Sequence, residues 1–367
     1  MKIGICTGGG DCPGLNAVIR AVVKHAIGSY GMEVWGITDS FNGLMCRPLD
    51  VRRMKINEVT DLLDRGGTVL GTTNAGNPFK FRDKKSGVID NKSQMVMDAY
   101  KELGLDALVV VGGDGTQSIA AEFANLGMNI VGIPKTIDND QAATDVSIGF
   151  QTAVDIATEA LTRLRSTAES HERIMVLELM GRDAGHIALH AGIAGGANVI
   201  LIPELPFEYA PIIKKIEERK NLGRYFSIVV VAEGAFEKGG APTYNSTTTP
   251  ATFATRHLGG IGAMVAEKLN QITKVDTRIT VLGHVQRGGS PDAYDRILGS
   301  AFGVYAVDLI QQKKFGDVVG IKNGKFTQTK YAEVLDRTSP VSLTGHFVRT
   351  AECTGICLGR ETNYISR

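Results

Sequence analysis

A chain of 367 residues with 43% hydrophobic content can bury more than one core, and at ~100 to 200 residues per domain it is expected to form two. Its 40 Lys and Arg against 39 Asp and Glu leave a net charge of +1. That balance excludes a global pull toward nucleic acid or anionic membrane, so any cationic site must be local.

The N-terminus "MKIGICTGGGDCPG" has no continuous apolar h-region, and no apolar run is long enough to span a bilayer, so a cytoplasmic protein is expected. Cys6, Cys12, Cys46, Cys353 and Cys357 are odd in number and scattered, which fits reduced thiols better than a disulfide framework. The pair Cys353 and Cys357 lacks further ligands for zinc. Sequons at Asn91 and Asn245 carry no weight without secretion.

Along the chain, β-branched runs alternate with Gly-rich or polar breaks and helix-period segments, the pattern of a parallel α/β sheet. Strands are predicted at 2–6, 33–38, 107–111, 129–133, 173–179, 198–202, 227–232 and 280–282. Most are apolar on consecutive positions, as strands covered on both faces should be. In the first helix Val18, Val22 and Ala26 form the apolar stripe, with Arg20 and Lys24 opposite; a solvated face explains that basic pair as well as a site does. Helix period also joins Ile119, Phe123 and Leu126, and Val154, Ala157, Leu161 and Leu164. The Gly-, Pro-, Ser- and Thr-rich stretch 235–256 reads as a long loop or crossover. Glycine-rich strand ends crowd into the first 150 residues, so a first domain closing near Phe150 is expected, and no repeat period appears.

In open parallel sheets, ligands sit beyond the carboxyl ends of the strands. The first strand leads into "TGGGDCPGLN", where Gly8, Gly9 and Gly10 let backbone amides approach a phosphate at a helix start. It is neither a Walker A loop nor a dinucleotide fingerprint, and taken alone it reads equally as a tight connection. The 107–111 strand leads into Gly113-Asp114-Gly115-Thr116. Gly115 removes bulk where a phosphate chain can pass, and Thr116 can cap the helix or donate to phosphate. Asp114 suits Mg2+, which binds one or two carboxylates plus substrate phosphates. "GGDGT" resembles the phosphate loop of several kinase groups, NAD kinases and lipid kinases among them, and by itself indicates only a phosphoryl donor.

The next strand ends in "IPKTIDND", with Asp138 and Asp140 two apart. An acceptor alcohol needs a positioned base, a role that suits Asp138, and a pair of surface turn acids is the bland alternative. Later strand ends bring His171 and Arg173, Met180, Gly181 and Arg182, Glu233, and Arg278, His284 and Arg287. Arginines clamp phosphates bidentately. Several in a near-neutral chain indicate a local pocket for phosphorylated ligands. His186 and His190 lack the glutamate of HExxH and read as ordinary helix residues.

Taken together, "TGGGDCPGLNAVIR", "RGGT", "GGDGT", "PKTIDND", "IGFQTA", "MGRDAGHIAL", "AEG" and "VLGHVQRGGSPDAYDR", in this order from residue 7 to 296, resemble the 6-phosphofructokinase family. The residues beyond match it more loosely. The resemblance implies an α/β fold of two similar three-layer domains with mostly parallel sheets and the active site in the cleft between them. One domain, 1–149 plus about 267–315, would bind nucleotide and Mg2+. The other, about 150–266 plus 316–350, would bind sugar phosphate, leaving 351–367 as a C-terminal tail. The implied activity is phosphoryl transfer from MgATP to the 1-hydroxyl of fructose 6-phosphate.

Carried over by position, Gly10 and Gly113 to Thr116 would hold the donor, with Asp114 as the Mg2+ ligand. Asp138 would be the base, beside Thr136, Ile137 and Asp140, and Arg182 would stabilise the transferring group. Met180, Gly181, Glu233, His284 and Arg287 would bind the sugar phosphate. Arg173 and Arg278 would reach a neighbouring subunit's site, which implies a homo-oligomer, a tetramer or a dimer.

Departures bear on donor and regulation. Pyrophosphate users of the family typically have Asp at the position of Gly115, whereas Lys135 is the residue typical of them, so the two markers disagree. Gly115 argues for ATP, because a nucleotide needs an open channel while a lysine can swing aside. Asn74 stands where ATP users often place an arginine. Arg20, Lys24, Arg165 and Arg224 match the family's basic effector site, whereas Ile56, Asn198 and Leu222 do not. The rival readings are a pyrophosphate-dependent phosphotransferase and a regulatory subunit without turnover; the second predicts a lost base or metal ligand.

Overall fold

The computed structural model describes residues 1–82, 87–243, 258–335 and 337–361. The expected loop at 235–256 is described to residue 243, and the Asn245 sequon lies outside the described residues. The chain begins with β1 (Lys2–Gly8), α1 (Leu15–Tyr30), β2 (Glu33–Ile37), α2 (Asn42–Met45), β3 (Val51–Arg53), β4 (Phe81–Arg82) and β5 (Ile89–Asp90). Then come α3 (Ser93–Glu102), β6 (Ala107–Gly112), α4 (Asp114–Asn125), β7 (Ile130–Pro134), α5 (Phe150–Ser170), β8 (Ile174–Leu179), α6 (His186–Ala194) and β9 (Val199–Leu201). It continues through α7 (Tyr209–Asn221), β10 (Ser227–Ala232), α8 (Ile261–Thr273), β11 (Thr277–Val281), α9 (Ala293–Gln311), β12 (Asp317–Lys322) and β13 (Lys325–Lys330). Two short helices, α10 (Tyr331–Val334) and α11 (His346–Cys353), complete it. No helix among the described residues is long and apolar enough to cross a membrane.

Two compact units result: Met1–Ile137 with Gln141–Thr152 and Arg287–Thr338, and Asp138–Asp140 with Ala153–Gln286 and Ser339–Arg367. The first holds a seven-stranded sheet in the order β13-β12-β7-β6-β1-β2-β3. Its inner pairings are parallel, while β3 and β13 add antiparallel edges. Every residue of β6 and β7 is buried, because consecutive apolar residues require helices on both faces. Phe123 of α4 is fully buried against Phe41 and Phe79, with ring centroids 5.1 and 4.7 Å away; burying such a side chain stabilises the fold by about 1.5 to 3 kcal/mol. α1 and α9 approach closely because α9 carries glycines: a Cβ at Gly303 would lie 2.9 Å from the Val18 carbonyl oxygen. The hairpin of β12 and β13 turns on Asn323 and Gly324, both at positive φ (52° and 73°), the geometry Asn-Gly turns favour.

The second unit holds a parallel sheet in the order β11-β8-β10-β9. β8 and β10 are buried throughout, and Val176, Val229, Val231, Phe207, Ile212 and Leu269 belong to its core. β11 is an edge strand with Arg278, Ile279 and Val281 exposed. It begins at Thr277, earlier than the apolar run at 280–282 suggests, since an edge strand alternates polar and apolar residues.

The boundaries differ from the sequence expectation chiefly in two places, with 138–140 also in the second unit and 150–152 in the first. Residues 267–286 fall in the second unit, because β11 pairs with β8. Residues 316–338 fall in the first, because β12 pairs with β7. The expected tail is also packed as far as it is described: Leu358 is fully buried, and Cys357 exchanges backbone hydrogen bonds with Asn198 and Ile200 beside β9.

Candidate active site

In the first sheet the chain runs from β1 to β2 on one side, while β6 flanks β1 on the other. The carboxyl ends of β1 and β6 therefore form a topological switch point, where α/β sheets bind ligands. Both glycine loops leave from it. Gly8 is obligatory, since a Cβ there would lie 2.7 Å from Ser40 Oγ and Thr116 Cγ2, and Gly9 has φ 79°. The Gly9 loop is braced by 72–73: its amide donates to the Thr73 carbonyl (3.0 Å), and Thr72 Oγ1 donates to the Gly9 carbonyl (2.6 Å). Asn74 follows this brace and is exposed.

Gly113, in extended backbone at φ −79°, ψ −175°, precedes α4, so Asp114 and Gly115 open the helix and are exposed. Thr116 is buried, 8% exposed, and its amide and that of Gln117 donate to the Gly113 carbonyl. A Cβ at Gly115 would meet nothing within 4 Å, so the position opens onto free space. Arg287 packs against Gly10, where a Cβ would lie 2.7 Å from its Nη1, and donates to the Asp11 carbonyl at 3.2 Å.

Lys135 is buried and its Nζ donates to the Gly10 carbonyl. It ties the first glycine loop to the end of β7, a contact that the sequence, which leaves this lysine able to swing aside or to meet a terminal phosphate, does not reveal. Two supports escaped the sequence reading. Gln117 Nε2 reaches the carbonyls of Val110, Gly112 and Ile133, and its Oε1 accepts from Tyr331. Gln141 Nε2 also donates to the Gly112 carbonyl. An amide on a helix one turn from a glycine loop was the available signal.

The second unit gathers charged side chains. Asp138 is buried at 4% exposure, Asn139 beside it has φ 55°, and the Ser339 amide donates to the Asp140 carbonyl at 2.7 Å. Thr136 and Ile137, which precede the acidic turn, are half-buried and buried; the Thr136 carbonyl accepts from Ser147 Oγ at 2.7 Å.

Beyond β8, Met180 leads into Gly181 (φ 148°) and Arg182 (φ 51°). A non-glycine residue in the left-handed region is held there by its surroundings. Glu233, at the end of β10, supplies part of that hold, accepting the amides of Arg182 (3.1 Å) and Gly181 (3.3 Å). Gly234 supplies more, as a Cβ there would lie 2.1 Å from the Arg182 carbonyl oxygen. Burial pushes the Glu233 carboxyl up to about 7, against the lowering effect of the Arg182 amide, and the Asp138 charge raises it further. Glu233 thus links the two turns, feeling the Asp138 charge and holding the Arg182 backbone amide. His284 is exposed in the short 3-10 turn Gly283–Arg287 after β11.

Arg173 and Arg278 are not part of those turns. Arg173 precedes β8, Arg278 pairs with Met175 at its start, and both bind Asp276, at 2.6 and 3.2 Å. Arg182 follows the opposite end of β8 from Arg173, about 20 Å away over six residues at roughly 3.3 Å per residue.

Asp114 is the exposed carboxylate at an open strand end, and no group of three or more His, Cys, Asp and Glu among the described residues forms a ready-made metal cage. That donor set fits Mg2+, which brings its own phosphate ligands and waters.

A family profile described as phosphofructokinase matches residues 2–310. ATP-dependent 6-phosphofructokinase 1 of Synechocystis sp. is 49% identical over 98% of this chain and 99% of its own length. The pyrophosphate–fructose 6-phosphate 1-phosphotransferase of Amycolatopsis methanolica is 46% identical over 91% of this chain and 94% of its own. Among solved structures, phosphofructokinase from Saccharomyces cerevisiae superposes with a TM-score of 0.74 at 30% identity, covering 90% of this chain, which spans 45% of the yeast chain. With the glycine loops at the switch point and the acidic and arginine turns in the order the motifs demand, the chain belongs to the phosphofructokinase family.

Proposed function

We propose that this chain transfers the terminal phosphoryl group of MgATP to the 1-hydroxyl of fructose 6-phosphate, giving fructose 1,6-bisphosphate and ADP. The observation that carries the reading is the Gly113 to Thr116 turn at the switch point, with Asp114 exposed and Gly115 opening onto free space. The donor residues, Gly10, Gly113, Asp114, Gly115 and Thr116, are carried by the first unit, and Arg182, Glu233 and His284 by the second. This division supports reading the first unit as nucleotide-binding and the second as sugar-phosphate-binding, although Arg287, a sugar-phosphate candidate, is carried by the first.

Asp138 accepts the proton of the 1-hydroxyl as that oxygen bonds to the γ-phosphorus and the bond to the bridging oxygen of ADP breaks. Arg182 neutralises the charge spread over the transferring group, and its constrained backbone means little reorganisation is required. Mg2+, when bound to Asp114 and the donor phosphates, supplies charge neutralisation on the polyphosphate. Thr136, Ile137 and Asp140 fix the turn that carries the base, and Met180, Gly181, Glu233, His284 and Arg287 hold the sugar phosphate. Asn74 leaves the transition state one cation poorer than in relatives with arginine there, so Arg182 and the metal carry more of the charge.

ATP is favoured over pyrophosphate because the space beside Gly115 admits a nucleotide, while Lys135 is engaged with the Gly10 carbonyl. Steady-state assays with each donor at matched Mg2+ test this, and turnover with pyrophosphate alone would overturn it.

A homo-oligomer, dimer or tetramer, follows from Arg173 and Arg278 serving a neighbouring subunit, since they lie at the other end of the sheet from Arg182. An anionic effector is part of the same reading. Arg165, Arg219 and Arg224 stand close enough that burial and the two neighbouring charges lower the Arg219 pKa. Arg20 and Lys24 are the corresponding cations of the first unit. A cytoplasmic location is expected of an enzyme with these substrates.

A further inference from the structure

One carboxylate outside the site just described touches the arginine turn and the C-terminal segment at once. Glu204, two residues after the buried Ile202, accepts the Gly185 amide on both oxygens (3.0 and 3.1 Å) and the Val341 amide on Oε1 (2.7 Å). Gly185 precedes α6 and closes the turn that began at Met180. It is glycine for a reason of space: a Cβ there would lie 2.4 Å from Ile202 Cβ and 2.9 Å from Glu204 Oε2.

The arginine turn is therefore gripped at both ends by acids. Glu233 holds the amides of Gly181 and Arg182, and Glu204 holds that of Gly185. Between the two grips, Arg182 keeps φ 51°, a conformation that persists only when its surroundings over-determine it.

The segment Ser339–Val341 extends the same network. The Ser339 amide donates to the Asp140 carbonyl at 2.7 Å, His186 Nε2 donates to the Ser339 carbonyl at 2.8 Å, and the Val341 amide reaches Glu204. Because a carbonyl only accepts, these contacts protonate His186 on Nε2. Val341 is 5% exposed, which anchors the strap. Three consecutive residues thus join the acidic turn to the arginine turn through backbone groups.

We propose that Glu204, with the Ser339–Val341 strap, is a positioning residue that sets Arg182 in register with the Asp138–Asp140 turn. The proposal rests on the phosphoryl-transfer reading above. A displacement of about 1 Å in such a group costs as much as ~100-fold in rate, so the effect belongs in kcat rather than in donor binding. In this reading Glu204 acts only through the turn it holds.

The test uses the full chain with Glu204→Gln and Glu204→Ala, each also made in an Arg182→Ala background. Glu204→Gln is expected to lower kcat about 10-fold and Glu204→Ala further, with KM for MgATP changed less than about twofold. Because the effect runs through Arg182, both losses should shrink to within about twofold when Arg182 is already Ala. Amide hydrogen exchange at 180–186 and 339–342 should accelerate in Glu204→Gln, while the rest of the chain keeps its protection. An unchanged kcat, an undiminished loss in the Arg182→Ala background, or unchanged exchange at both segments overturns the proposal. If Glu204→Gln does not fold, Ser339→Pro, which deletes the N–H bound to Asp140, is held to the same outcomes. Failure of the unaltered chain to transfer phosphate from MgATP to fructose 6-phosphate would instead sink the functional reading, and the exchange experiment would still judge the brace.

Discussion

The strand ends of the two units are built differently. In the first, the ends of β1 and β6 carry glycines, and the contacts on offer are backbone amides, free space beside Gly115 and a single exposed carboxylate, Asp114. In the second, the ends of β8 and β10 carry charged residues, and the Glu233 carboxylate holds the backbone amides of Gly181 and Arg182. A polyphosphate that arrives with a metal needs room and amide donors, so bulk must be removed. A sugar phosphate needs hydroxyl partners and cations in fixed places, so side chains must be supplied and then immobilised.

The largest effect expected from breaking this contrast is at the base. Asp138→Asn should lower kcat by roughly 100- to 10,000-fold while leaving sugar affinity nearly intact. Equal losses in turnover and in fructose 6-phosphate binding, measured by titration, would contradict the assignment.

Next comes Gly115→Asp, which fills the one open position of the first unit's loop with like charge. Juxtaposed like charges cost several kcal/mol, so kcat/KM for MgATP should fall by about 100-fold or more. Unfolding midpoints should hardly move, because a Cβ there touches nothing.

A smaller effect sharpens the second half of the comparison through pH. The Glu233 carboxyl is pushed up to about 7 by burial, from an ordinary 4.5. The folded chain therefore holds this proton more tightly than the unfolded chain does. The stability it contributes is complete below 4.5 and is lost as pH rises through 7. The ionised form is the better acceptor for sugar hydroxyls, so KM for fructose 6-phosphate should fall as pH rises through 7. Glu233→Gln should flatten that profile; a profile of unchanged shape would detach Glu233 from the sugar.

The smallest expected change is structural and lies in the first unit. Asp295 accepts the amides of Gly149 and Thr152 and the Thr152 hydroxyl, at 2.8, 2.9 and 2.6 Å, and so caps α5 from outside the helix. Asp295→Ala leaves those buried donors unpaired, which costs ~1 to 3 kcal/mol, readable as a lower urea midpoint. Burial pushes the Asp295 carboxyl up to about 6 from 3.8, so its own contribution is complete below 3.8 and is lost as pH rises through 6.

Much of this was legible in the residues. The buried strands β6, β8 and β10 announced themselves as consecutive apolar runs, and the glycine loops by composition. The start of β11 is not legible as an apolar run because Thr277 and Arg278 open this half-exposed edge strand. The hairpin of β12 and β13 was missed although Asn323-Gly324 carries a recognised turn signal. The candidate base and metal ligand were visible as acids directly beyond strands. Glu204 was not, since a carboxylate whose partners lie at Gly185 and Val341 has no local pattern to betray it.

By itself the sequence determined where glycine leaves the backbone bare, which strands must be covered on both faces, and which acids and arginines stand at strand ends. Those are local facts of steric space and hydrophobic period. Only the tertiary structure decided that Lys135 is tied to the Gly10 carbonyl, that Arg173 and Arg278 lie a strand's length from Arg182, and that residues beyond 338 brace the acidic turn. Each of these joins groups far apart along the chain, and such partners are chosen by pairing and packing rather than by neighbouring residues.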